Sequence, residues 1–163
     1  MRYPRGKGTG VAIEHDMQNY VVGKGCTVRK GCEIAIINFG TLLPGAIIAA
    51  EKLDATVCDM RWAKPLDHKL IEELANSHKL IVTLEENSIA GGAGSGVTEY
   101  LSAQGILLPT LHLGLPDRYI DHGKREKILA AIGLDAKGIE TQVRQRMQTI
   151  ANYSNTALNQ KIF

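Results

Sequence analysis

From Glu33 to Ile150 the chain alternates short apolar runs with longer stretches whose apolar residues recur every three or four positions. Ile34-Ala35-Ile36-Ile37-Asn38-Phe39 is a continuous apolar run stopped by Gly40, the pattern of a strand buried on both faces. A helix is expected next, with Thr41 as N-cap, Pro44 in the first turn and apolar residues through Leu53. The alternation repeats: a strand at 55–60, a helix at 66–77, a strand at 79–84, a helix opened by the glycines of 91–96 and running to Ala103, and a strand at 109–113. Two helices complete the pattern, at 124–132 and 135–150. The second places Ile139, Val143, Met147 and Ile150 in one stripe, with Glu140 and Arg144 paired on its wet side.

Strict alternation of strands and helices predicts an α/β domain: three layers, a mainly parallel sheet with helices on both faces. Ligands of such sheets bind beyond the carboxyl ends of the strands. The loops after Phe39, Met60, Leu84 and Leu113 are therefore where a site is sought. Residues 1–32 differ, being glycine-rich with little helical period. Lys24–Lys30 reads as a strand with hairpin-like punctuation on either side. Residues 151–163 (ANYSNTALNQKIF) break the apolar stripe. The expected division is 1–32 as the end of a preceding unit and its linker, 33–150 as the domain, and 151–163 as a carboxyl-terminal extension that packs on something.

A length of 163 residues suits one domain, or one with a tail, that needs no staples. Nineteen Lys and Arg against seventeen Asp and Glu leave +2, too balanced for a nucleic-acid footprint. Aromatic residues are 5%, too few for single-strand stacking platforms. Cys26, Cys32 and Cys58 are an odd number without a CxxC, so free thiols and a cytoplasmic setting are expected. No run approaches eighteen apolar residues, so no membrane partner is expected.

The chemistry-bearing stretches each have a bland reading beside the sharp one. Arg2-Tyr3-Pro4-Arg5-Gly6-Lys7-Gly8 gathers cations and glycines that could approach phosphate oxygens, or is a solvated linker. The run Gly91-Gly92-Ala93-Gly94-Ser95-Gly96 sits between strand and helix, where a phosphate loop would sit. Val97 breaks the dinucleotide fingerprint, however, and a Gly-Lys-Ser/Thr ending is missing. Close packing is the plainer use of these glycines. Glu85 and Glu86 end a strand and point to opposite faces, so they cannot easily serve one proton transfer; helix N-terminal stabilisation or a polar interface fits better. Asp121-His122 could be imagined as a base and its orienter, yet lacks a nucleophile partner. His112, Asp117 and His122 lack a metal-ligand spacing, and His68 and His78 read as surface residues. Trp62, beside Arg61, reads as a packing or interface anchor.

The blocks RYPRG at 2–6, NFGTLLP at 38–44, DMRWAKPLD at 59–67, TLEENSIAGGAGSGV at 83–97, LGLPDRYIDHG at 113–123 and GLDAKGI at 133–139 closely resemble the carboxyl-terminal part of the 1-deoxy-D-xylulose-5-phosphate synthase family. That family is thiamine diphosphate-dependent and transketolase-like. The DMRWAKPLD element is shared with transketolase and pyruvate dehydrogenase relatives, whereas the TLEEN and GLPDRYIDHG blocks are more specific. The resemblance runs from Arg2 to about Ile150. It implies an enzyme that condenses pyruvate with glyceraldehyde 3-phosphate and releases carbon dioxide, feeding isoprenoid precursors and, in bacteria, thiamine and pyridoxal phosphate synthesis. It implies thiamine diphosphate and magnesium held by two preceding domains, with the third supporting a homodimer. A Gly-Asp-Gly…Asn motif does not occur in this sequence, so no cofactor is expected in this piece, and Met1 directly before RYPRG points to an expressed piece. The partners implied are the remaining domains and a second subunit, with Trp62, the 91–96 glycines and the tail as candidate contacts. The one site residue implied is Arg5, as a clamp on the phosphate of glyceraldehyde 3-phosphate. Other readings from the residues are a stand-alone nucleotide or phosphosugar binder using the glycine loop, or the equivalent domain of another transketolase-like enzyme.

Overall fold

Five strands form one sheet in the order β1-β3-β2-β4-β5. The computed structural model describes residues 19–159 together with Gly8, Gly10 and Ala12, and side chains as far as Tyr153. The strands are β1 Cys26–Arg29, β2 Ile34–Phe39, β3 Thr56–Asp59, β4 Leu80–Ser88 and β5 Thr110–Leu115. The helices are α1 Leu43–Leu53, α2 His68–Ser77, α3 Ala93–Ala103, α4 Arg125–Ala131 and α5 Ala136–Asn159. β2, β3, β4 and β5 pair in parallel. β1 alone is antiparallel, laid on the β3 edge with Thr27 opposite Cys58.

The period-two alternation of the strands divides the core. Ile34, Ile36, Val57, Leu80, Val82, Leu84 and Leu113 turn to the layer made by α1, α4 and α5. Ala35, Ile37, Cys58 and Ile81 turn to the layer made by α2 and α3. Ile36, Ile37, Leu80 and Ile81 are fully buried, each contributing about 1.5–3 kcal/mol of hydrophobic stabilisation. That explains why β2 and the first half of β4 are apolar without alternation.

The expected architecture is the observed one, with local differences. The Lys24–Lys30 strand pairs with β3, not with its sequence neighbour β2, so it forms no hairpin. β4 continues past Leu84 to Ser88, because its polar end still pairs with β5, Ser88 against Leu115. Thr41 is not the cap of α1. The N-cap is Leu42 and no side chain closes that end, because the Thr41 hydroxyl is committed to Glu86 and Arg125. α5 runs nine residues beyond Ile150 as one continuous helix of 24 residues, about 36 Å long. It is fastened to α1 by Arg144, which donates to the Lys52 carbonyl at 2.8 Å and to Glu140 at 2.9 Å.

Candidate functional site

The carboxyl ends of β2 and β4, with Ala63 from the loop after β3, enclose an open cleft of about 780 Å³. Phe39, Gly40 and Thr41 form one wall, and Glu85, Glu86 and Asn87 another. Gly91, Gly92, Ala93, Ser95 and Gly96 at the start of α3 form a third. Three of the four loops singled out from the sequence thus meet. The fourth does not: Asp121 and His122 line a separate shallow depression with Tyr119, Ile120 and Ile128.

The two adjacent glutamates diverge as strand geometry requires. Glu85 is buried and turns toward α3, where its carboxylate accepts from the backbone N–H of Ala93 at 2.9 Å and of Gly94 at 2.9 Å. Free amides and the helix dipole make such a start attractive to anions. Here the protein supplies the anion itself. Glu86 turns outward and takes both arms of Arg125, Nε at 3.1 Å and Nη2 at 2.6 Å. That pairing holds the guanidinium above its ordinary pKa. Thr41 completes the cluster, donating to Glu86 and accepting from Arg125 at 3.0 Å, so β4, α4 and the entry to α1 are joined at one point.

Gly94 is where α3 meets the sheet. A Cβ there would overlap the Thr83 hydroxyl and stand 2.8 Å from His112 Nδ1. His112 bridges two hydroxyls, Thr83 Oγ1 at 2.6 Å and Thr98 Oγ1 at 2.8 Å. Burial pushes its imidazole below the ordinary histidine range, the Glu85 charge opposing. His112 is therefore a packed, hydrogen-bonded residue beneath α3. His68 stacks on Tyr100 with ring centroids 3.9 Å apart. His78 reaches back to Thr56 Oγ1 at 2.7 Å, so it ties α2 to β3 and is more than a surface residue. Trp62 is partly exposed, and its buried Nε1 has no hydrogen-bond partner among the described residues. Cys26, Cys32 and Cys58 are free thiols.

Among the described residues, no group of three or more His, Cys, Asp or Glu could hold a metal ion. The helix start suited to a diphosphate is closed by Glu85. The described residues do not fit a thiamine diphosphate and magnesium site. No helix of the described residues is long and apolar enough to cross a membrane. Arg5 lies outside the described residues, as does the whole RYPRG block.

Several residues here carried no functional reading from sequence. Arg125 opens a helix with no mark of its partner 39 positions away. Asp67, expected inside the 66–77 helix, is instead the N-cap of α2, which begins at His68. Its second set of partners, Lys24 and Gly25, lies more than forty positions upstream.

A mainly parallel sheet between two helical layers, with strand-end loops tied to one another, defines a doubly wound α/β domain. Residues 23–139 match the family model "Transketolase, C-terminal domain". The chain belongs to the transketolase C-terminal domain family. Similar proteins include the 1-deoxy-D-xylulose-5-phosphate synthase of Bordetella avium (strain 197N), 54% identical over 150 residues, which are 92% of this chain and 24% of that one. The synthase of Cellvibrio japonicus (strain Ueda107) is 54% identical over 151 residues, 93% of this chain and 24% of that one. The chain thus spans about a quarter of the length of the curated relatives it matches. Among solved structures, the split gene transketolase described as an inactive beta4 tetramer superposes with a TM-score of 0.74 at 29% identity, covering 80% of this chain and 44% of that one.

Proposed function

We propose that this chain is the carboxyl-terminal domain of a 1-deoxy-D-xylulose-5-phosphate synthase and serves as a docking layer for the catalytic domains of that enzyme. The observation that carries this reading is the internal closure of its strand-end site. The α3 start, where a phosphate would bind, holds Glu85, and the adjacent carboxylate is spent on Arg125. The synthase assignment is supported by relatives 54% identical over nearly all of this chain. In this reading the whole enzyme joins pyruvate and glyceraldehyde 3-phosphate with loss of carbon dioxide. Thiamine diphosphate and magnesium are held by other domains of a cytoplasmic homodimer. Arg5, just upstream of the domain, contacts the phosphate of glyceraldehyde 3-phosphate. Because β1 is part of the sheet, the domain of this proposal begins after the 19–25 connector and not at residue 33, and the residues after 150 form its terminal extension.

A free-standing nucleotide or phosphosugar binder would need the α3 amides open, and a buried carboxylate beside them repels an anion. A chimera tests the reading. This chain replaces the matching carboxyl-terminal quarter of the Bordetella avium synthase, and product formation from pyruvate and glyceraldehyde 3-phosphate is measured. Retained turnover is expected. A folded, cofactor-loaded chimera without turnover would contradict the assignment.

A further inference from the structure

The segment entering the domain, residues 19–25, lies along the loop after β3, where Gly23 packs on Pro65, yet its large apolar side chains do not hold it there. Tyr20, Val21 and Val22 are each more than 60% exposed. Its attachment is polar and converges on one buried carboxylate. Asp67 Oδ1 receives Lys24 Nζ at 3.1 Å, and Oδ2 receives the Gly25 amide at 3.2 Å. The same Oδ1 accepts the Leu70 amide at 3.3 Å, capping α2. Asp67 is only 6% exposed, so an unpartnered charge there would be costly. Two flanking contacts follow from this seating. The Tyr20 ring receives the Arg61 guanidinium 4.2 Å from its centroid, and Arg61 Nη2 donates to Cys26 Sγ at 2.9 Å. Gly25 permits the approach, since a Cβ there would stand 2.9 Å from a Leu70 methyl and 3.1 Å from the Asp59 carbonyl.

We propose that Asp67 is a latch that fastens the incoming connector to the start of α2, so that whatever precedes the domain enters it from one fixed direction and not through a loose tether. The chemistry is a double use of one carboxylate. A helix cap alone needs only the Leu70 amide; the Lys24 and Gly25 bonds convert the cap into a clasp between two segments 42 positions apart. The latch stands on geometry within this chain. Its value for placing upstream catalytic domains rests on the docking-layer reading, and its test uses no activity measurement, so the two can fail separately.

The test is amide hydrogen exchange by mass spectrometry on this chain and on two variants, with alkylation of Cys26 as a second readout. In Asp67→Asn, peptides covering 19–26 are expected to exchange at least tenfold faster and Cys26 to alkylate several-fold faster. Peptides from β2 and β4 should stay unchanged. Lys24→Met leaves the α2 cap intact and should move the same two readouts in the same direction, by a smaller factor. Exchange of 19–26 within twofold of the parent in Asp67→Asn, with only the start of α2 loosened, would make Asp67 a helix cap and overturn the latch. If Asp67→Asn loosens the whole domain, Lys24→Met decides, and unchanged 19–26 exchange in that variant overturns the proposal equally.

Discussion

The Glu85 carboxylate stands 2.9 Å from the amide nitrogen of Gly94, inside the first turn of α3. This one relationship separates a phosphate loop from a packing loop. Both place a glycine-rich turn between strand and helix, and the difference is whether the amides are left for a ligand. Glu85→Ala should leave the Ala93 and Gly94 amides unpaired and cost about 1–3 kcal/mol, read as a fall in urea midpoint. Glu85→Gln retains an acceptor and should cost less. An Ala variant as stable as the parent would show that the cap does not hold α3.

Gly94→Ala examines the same contact from the other side. The added methyl meets Thr83 Oγ1 and His112 Nδ1, and overpacking of this kind costs about 1–3 kcal/mol. Gly105, where a Cβ would find open space, is strained by its φ of +69° and so does not serve as the control. Gly8 has open space and no such φ, and Gly8→Ala should leave the thermal midpoint unchanged.

Acid sensitivity follows from His112. Its folded pKa lies below the ordinary value because burial disfavours the charged form. The unfolded chain therefore binds the extra proton first as pH falls, and stability declines from the unfolded pKa of about 6.5 down toward the folded one. Denaturation at pH 7.5 and 5.5 should show this loss. His112→Gln should show a shallower decline over the same interval, and an equal slope in both proteins would place the effect elsewhere.

The Arg125 fork on Glu86 is partly exposed, so its coupling should be modest, about 0.5–1.5 kcal/mol for a bidentate pair of this exposure. A double-mutant cycle with Glu86→Gln and Arg125→Met measures it. Zero coupling would mean that this ion pair does not help hold α4 against β4.

The sheet was legible where burial on both faces left no polar choice. β2 begins and ends where Ile34 and Phe39 suggested, because Gly40 stops it. Legibility failed where an element is held by a distant partner. The extension of β4 through Glu85 and Ser88 depends on β5, and polar residues there look like a loop. Thr41 has the residue type of a cap but serves Glu86 and Arg125. β1 lies on β3 and not on β2 because Asp67 and β3 hold the connector, contacts that no local pattern encodes. Past Ile150 the apolar stripe ends, yet helical hydrogen bonding continues to Asn159, since propagation is far easier than nucleation. Of the site, the divergent roles of Glu85 and Glu86 were readable from strand periodicity, whereas Arg125 was not.

In the proposed function the domain docks on the catalytic domains and holds no cofactor of its own. Calorimetric titration of this chain with thiamine diphosphate and magnesium, followed by an assay with pyruvate and glyceraldehyde 3-phosphate in the same buffer, tests this most directly. The expected result is no saturable heat and no carbon dioxide release. One thiamine diphosphate bound per chain, with turnover, would contradict it.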